Sequence, residues 1–415
     1  MILREAVSGS VSCGLTTRMV IMVLVLVLVL GLSAGTAASA IVPAPPQINA
    51  SSFLLLDTAT GETLAEENST LRLPPASLTK MMTSYIAASE IARGRMSLSD
   101  KVKVSEKAWL MEHPGCGKRC GSRMFIEVDK EVLVEDLLRG IVIQSGNDAS
   151  VAIAEHIAGD EEAFAELMNQ YAERLGMENT RFRNSHGLPN DDHYTTAADL
   201  AKLAKALISD HPDHYAMYKE KYFTFNNIRQ ANRNTLLWRD STVDGVKTGH
   251  TEAAGYCLVA SAVRENMRLL SVVMGAGSED ARSRESQKLL TYGFRNFETA
   301  PLYAANETLT SVRVWHGEQG TLDLVIEEPV VLTLPRGVRD SLAATLDINS
   351  IVGAPIAAGD VLGSLRVELD GDTIFTGELK AGGAIEAAGF LASLWDSISL
   401  FFLQLFGGDP LVVTE

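Results

Sequence analysis

The chain has 415 residues, 46% of them hydrophobic, and a formal net charge of −16. That length exceeds one small domain and implies two or three structural units with well-buried cores. The acidic balance argues against a nucleic-acid partner, because phosphate binding needs a basic face.

Taken in chain order, the N-terminus reads as an export signal. Arg4 and Arg18 precede the apolar run "MVIMVLVLVLVLGL" (Met19–Leu32). Small residues follow and end in "ASA" (Ala38–Ala40), an A-x-A cleavage pattern. The expectation is a signal peptide over 1–40; an uncleaved anchor is the alternative. Either one puts the remaining chain outside the cytoplasm.

From Ser52, "SFLLLDTATGETLAEE" reads strand, turn, strand. A helix is predicted over Ser77–Ile91, stopped by Gly94. Next comes "HPGCGKRCGS", holding Cys116 and Cys120. In an oxidising compartment that spacing fits a short-loop disulfide or two free thiols. A zinc site would need two further ligands, and the loop offers only His113. Val134–Ile157 reads as helical on both sides of a break at "SGN". Asp160–Gly176 and Thr195–Asp210 are amphipathic helices, the second capped by Thr195 or Thr196. "GYCLVASAV" and "RLLSVVMGA" form a central antiparallel hairpin through "RENM". Ser286–Phe297 reads as a closing helix.

After Phe297 the texture changes to short strands separated by turns, such as "VRVWHG" and "LDLVIEE". A separate all-β domain is expected over 299–381, after a first domain over 41–298. The fold class is therefore α+β: helices packed on a mostly antiparallel sheet, then a small all-β domain. "AGG" (Ala381–Gly383) reads as a hinge to a last helix over 384–406. There Leu391, Leu394, Trp395, Ile398, Phe401, Phe402 and Leu405 recur at helical spacing. Polar residues interrupt this segment too often for a membrane span. An amphipathic helix in the membrane interface fits, each buried apolar side chain contributing ~1.5–3 kcal/mol. The stretch carries no Lys or Arg, so the attraction is hydrophobic.

Three short patterns carry the chemistry. "PPASLTK" places Ser77 three residues before Lys80, on one helical face. A serine hydroxyl needs a base to become a nucleophile, and a lysine serves only if its pKa is pushed down. "SGN" offers the Ser145 hydroxyl and the Asn147 amide at a helix break. "DGVKTGHT" supplies the Lys247 cation and the Thr248 hydroxyl, and Gly249 leaves room for a ligand backbone to approach. Each pattern alone reads as a cap, a turn or a surface lysine.

In that order, S-x-x-K, S-x-N and K-T-G resemble the active-site-serine penicillin-binding enzymes and β-lactamases. The chain is most similar to the low-molecular-mass penicillin-binding proteins that are D-alanyl-D-alanine carboxypeptidases. The likeness extends through "RGIVIQSGNDA", "NSHGLPNDDHYTTAADLA", "RQANRNTLLW" and "VDGVKTGHTEAAGYCLVASA". Glycine at the middle of S-G-N fits that branch rather than the common β-lactamases.

The resemblance implies removal of the terminal D-alanine from peptidoglycan stem pentapeptides, and covalent capture of β-lactam antibiotics. It implies Ser77 as nucleophile, Lys80 as base and Ser145 as proton relay to the leaving amine. Asn147 would orient the substrate amide, and Lys247 would hold Lys80 at a low pKa. Thr248 and Arg233 would grip the terminal carboxylate, the Arg fork suiting it best. The amides of Ser77 and His250 would form the oxyanion hole, and His186 would play a supporting part. No metal or organic cofactor is implied. DD-endopeptidase or weak β-lactamase action on the same site is the alternative. Two readings remain: a metallopeptidase on His186, Asp191, Asp192 and His193, without an H-E-x-x-H motif to support it, and a non-catalytic membrane-bound scaffold that retains the fold, against which the intact Ser, Lys, Asn and K-T-G set argues. The implied location is the outer face of the cytoplasmic membrane.

Overall fold

The computed structural model describes residues 42–110 and 121–412. The signal-peptide reading of 1–40, and that of His113, Cys116 and Cys120, fall outside the described residues.

Five antiparallel strands form the main sheet. They are β1 (Ser52–Asp57), β2 (Thr63–Glu67), β7 (Val243–Thr251), β8 (Gly255–Arg264) and β9 (Met267–Ala276), in the order β2-β1-β9-β8-β7. Side chains alternate between faces along a strand. Leu54, Leu56, Val259, Leu270 and Val272 join one apolar cluster, and Phe53, Leu55, Leu258, Ala260 and Leu269 join another. The first cluster takes in the helices Lys80–Ala92, Asn147–Ala158, Glu161–Arg174 and Ala197–Asp210. The second takes in the helix Glu279–Asn296. Burial on both faces explains why these strands read as unbroken apolar runs.

Two small antiparallel pairs flank this sheet: β3 (Lys101–Lys103) with β4 (Glu131–Leu133), and the hairpin of β5 (Tyr222–Phe225) with β6 (Ile228–Ala231). The expected β8–β9 hairpin is present, its turn at Glu265–Asn266. Thr196 caps its helix by accepting from the Asp199 amide. The closing helix starts seven residues before the expected Ser286. Ser278 accepts from Ala281 N there, and Glu279 and Asp280 occupy the first turn, where the helix dipole favours acids.

From Phe297 to the last helix the regular elements are strands, apart from a short 3-10 turn at Arg339–Ser341. β10 (Phe297–Tyr303) pairs with β13 (Val330–Pro335). A second sheet runs β11-β12-β16-β15-β14, from Glu307–Arg313, Thr321–Ile326, Asp372–Ala381, Val361–Leu369 and Leu342–Ile348 respectively. Buried Asp57 ties the two parts together, accepting from Thr299 Oγ1 at 2.6 Å and Thr333 Oγ1 at 2.8 Å.

The last helix spans Phe390–Leu405, shorter than the expected 384–406. Ile385 and Ala387 are held instead in bridges to Ile356 and Gly317. Nor is Gly382 a free hinge, since its amide donates to Asp323 O at 2.9 Å. The helix turns its polar side to the β part: Asp396 accepts from His316 N at 2.8 Å. Phe390, Leu391, Trp395, Phe401, Leu405 and Phe406 are exposed. No helix among the described residues is long and apolar enough to cross a membrane.

Candidate active site

Ser77 does not sit in the α-helix that the sequence predicts. Ala76–Thr79 form a tighter 3-10 turn, and the α-helix begins at Lys80. In a 3-10 turn, side chains at i and i+3 eclipse, which lays Lys80 directly against Ser77. Pro75 enters the turn at φ −72°, and Ala76 holds a left-handed φ of 49° without being glycine.

Lys80 is fully buried. Its Nζ lies 3.2 Å from Ser77 Oγ, 2.6 Å from Asn147 Oδ1 and 2.5 Å from the His186 carbonyl. The last two oxygens can only accept. A neutral lysine has two N–H donors and one lone pair. With both donors on Asn147 and His186, the lone pair faces the Ser77 hydroxyl.

Burial lowers the Lys80 pKa to about 7, with the Arg233 charge as the second cause. Asp148 and Glu161 act in the opposite direction. Lys247 is likewise driven well below its ordinary value, by burial first and by Lys80 second, and two neighbouring cations disfavour each other's protonation mutually.

The "SGN" break is a change of helical winding. The short helix Val134–Arg139 runs into a π turn at Gly140–Gln144, and Ser145 then adopts φ 67°, ψ 35°. The next helix starts at Asn147. This turn brings Ser145 Oγ to 2.9 Å from Lys247 Nζ, which donates to it. Both residues are buried, so Lys247 is no surface strand lysine. Asp148 pins the neighbouring segment, accepting from the amides of Met124, Phe125, Ile126 and Ala149.

Strand β7 carries the third pattern. Thr248 is buried beside Lys247. A Cβ on Gly249 would lie 3.2 Å from Ala76 Cβ and from Pro75 O. The space left by this glycine therefore admits the serine's own turn, where the sequence reading placed a ligand backbone. His250 is exposed and stacks on Tyr256, ring centroids 4.0 Å apart. Arg233 is also exposed and makes no hydrogen bond or ion pair among the described residues. It lines a cavity of about 450 Å³ with Gln144, Thr235 and Glu279.

His186 contributes through its main chain. Its ring has other partners: Nδ1 accepts from Leu188 N at 3.1 Å, and Nε2 lies 3.2 Å from Glu161 Oε1. Sequence reading missed Glu161, which looks like an ordinary first-turn acid behind the Asp160 cap. It also missed Arg282, which is buried and donates to the Gly249 carbonyl at 3.3 Å. The polar residues of the metallopeptidase reading go to different partners. His193 Nε2 meets Thr79 Oγ1 at 3.0 Å, Asp192 pairs with Arg183, and His186 faces Glu161.

Comparison with known proteins finds relatives for both parts of the chain. The D-alanyl-D-alanine carboxypeptidase family matches residues 39–278, and the penicillin-binding protein 5 C-terminal domain matches residues 297–387. The chain is 44% identical to the D-alanyl-D-alanine carboxypeptidase DacC of Escherichia coli over 364 residues, 87% of this chain and 90% of that protein. Penicillin-binding protein 5 from Haemophilus influenzae superposes with a TM-score of 0.77 at 41% identity, covering 83% of this chain and 99% of that one. Penicillin-binding protein D2 from Listeria monocytogenes, solved in its cefotaxime-bound form, gives 0.55 at 28% identity, covering 61% of this chain and all of that one (100%). With both parts matched and a serine paired to a buried lysine, the chain belongs to the D-alanyl-D-alanine carboxypeptidases, the low-molecular-mass serine penicillin-binding proteins.

Proposed function

We propose that this chain removes the terminal D-alanine from peptidoglycan stem pentapeptides through an acyl-enzyme on Ser77. Neutral Lys80 takes the Ser77 proton as Oγ attacks the carbonyl of the penultimate D-alanine. The oxyanion is held by the amides of Ser77 and His250, a donor of this kind being worth ~2.7–4 kcal/mol. The C–N bond then breaks as the proton taken by Lys80 is relayed through Ser145, held by Lys247, to the leaving D-alanine amine, which returns Lys80 to its neutral form. Water hydrolyses the ester and restores Ser77. Asn147 orients both Lys80 and the substrate amide. Arg233 and Thr248 grip the terminal carboxylate, and the buried Lys247 favours an anionic substrate. A β-lactam amide acylates the same oxygen.

The observation that carries this reading is the Lys80 amine, set between Asn147 Oδ1, the His186 carbonyl and Ser77 Oγ. The protein would work on the outer face of the cytoplasmic membrane, held there by the exposed apolar face of Phe390–Leu405. Fluorescent penicillin labelling and D-alanine release from a D-Ala-D-Ala peptide test the site together. Both should vanish in Ser77→Ala; a variant that still labels and still releases D-alanine refutes the assignment.

A further inference from the structure

We propose that Glu161 is a positioning residue for the Ser77–Lys80 pair, fixing the turn whose His186 carbonyl receives Lys80. The proposal rests on Lys80 being the base for Ser77.

An acid in the first turn of a surface helix ordinarily points to solvent. The Glu161 side chain is only 12% exposed. Its Oε1 accepts from Ser185 Oγ at 2.9 Å and Ser185 N at 3.2 Å, and it faces His186 Nε2 at 3.2 Å. Its Oε2 pairs with Lys107 at 3.4 Å. His186 Nδ1 is an acceptor for Leu188 N, so the neutral ring carries its proton on Nε2, toward the carboxylate. Both ring nitrogens are therefore committed to holding the turn.

That turn touches the nucleophile on two sides. The His186 carbonyl accepts from Lys80 Nζ, and Gly187 packs against the Ala76 carbonyl just before Ser77. Thr83 and Asn184 grip the same turn, through Ser185 O at 2.6 Å and Gly187 N at 2.6 Å. Glu161 is the one charged side chain among these clamps. Its link to Ser185 and His186 thus decides where one of the two Lys80 donors can point, and so where the lone pair points.

The charge has a consequence that a purely structural role would not have. Lys80 faces Ser77, Asn147 and the His186 carbonyl. Arg233 opposes its protonation, whereas Asp148 and Glu161 favour it. Lys247 stands beyond Ser145. Replacing Glu161 by glutamine keeps an oxygen acceptor for Ser185 and His186 but removes a negative charge. Protonated Lys80 is then less favoured, and its acid limb moves to lower pH.

The test is the second-order rate of Ser77 acylation by a penicillin, measured from pH 5 to 9 in the full mature protein. Glu161→Gln should keep most of the high-pH rate and lower the midpoint of the acid limb by roughly half a pH unit. Glu161→Ala, which frees the turn, should lower the high-pH rate on the order of 10- to 100-fold. An unmoved midpoint in Glu161→Gln overturns the proposal, and so does an unchanged rate in a folded Glu161→Ala. If alanine prevents folding, the glutamine midpoint decides alone. A Lys80→Ala variant separates the two readings: wild-type acylation there refutes the base itself rather than its positioning.

Discussion

Gly187 lies flat against Ala76: a Cβ added to the glycine would stand 1.8 Å from the Ala76 carbonyl oxygen. Gly187 has φ +90°, and Ala76 is itself left-handed at φ 49°. Two unusual backbone conformations thus meet immediately before Ser77.

Gly187→Ala should therefore push the Ala76–Ser77 turn out of position. Strain of this kind costs on the order of 1–3 kcal/mol, before any clash with backbone is counted. The expected outcome is a lower melting temperature together with acylation slowed at least about tenfold. Penicillin labelling kinetics and thermal unfolding check both arms.

The Lys80 pKa of about 7 fixes the sign of the pH dependence. Lys80 is a base only when neutral, so acylation should fall as pH drops below about 7 and level off above it. Arg233 helps lower that pKa. Arg233→Ala should shift the limb to higher pH and, by losing the proposed carboxylate grip, raise the KM for D-Ala-D-Ala peptides. Rate–pH profiles on peptide and penicillin separate the two effects.

Asp148 is buried, and its carboxylate serves four backbone amides, those of Met124, Phe125, Ile126 and Ala149. Asp148→Ala would leave those donors without a partner. Each buried unsatisfied group costs ~1–3 kcal/mol, so a loss of about 3 kcal/mol or more is expected in urea unfolding. The removed charge also favours Lys80 protonation, so any folded fraction should show a lower midpoint.

Acid should destabilise the protein in two steps. Burial lowers His193 to about 3 and His214 to about 4. Their unfolded value is 6.5, so below that pH the unfolded chain gains protons that the folded chain refuses. The contribution of these two histidines should be full above about 6.5 and fall toward pH 4 for His214 and pH 3 for His193, by at most ~1.4 kcal/mol per pH unit per histidine. Burial opposes the Glu161 charge, but bonds from His186 and Ser185 win and lower its pKa to about 2. Its contribution is lost between about 4.5 and 2. Melting temperature against pH reads out both windows.

Trp395 and Phe402 lie seven residues apart on the exposed apolar side of the last helix. Replacing both with glutamate should abolish sedimentation with neutral phosphatidylcholine vesicles. The helix has no basic residue, so wild-type binding should be insensitive to salt. Salt-released binding would contradict a hydrophobic anchor.

The sequence by itself determined the order of elements and the three reactive patterns. Unbroken apolar runs such as "SFLLLD", capped amphipathic helices such as Ala197–Asp210, and short spacings such as Ser77–Lys80 are local signals. Local geometry fixes them, so they survive being read one stretch at a time. The polar start of the Glu279–Asn296 helix and the strand β14 were harder to read, because neither carries a strong apolar period.

Tertiary structure decided everything that needs two distant segments to meet. It set Lys247 against Ser145, 102 residues away, and gave Gly249 its reason by packing it on the nucleophile's turn. It added burial and Arg233 to what lowers Lys80. It turned His186 from a candidate side chain into a carbonyl, and an unremarked Glu161 into its anchor. Desolvation and hydrogen-bond partners depend on which atoms surround a group in space, and residue order alone does not specify them.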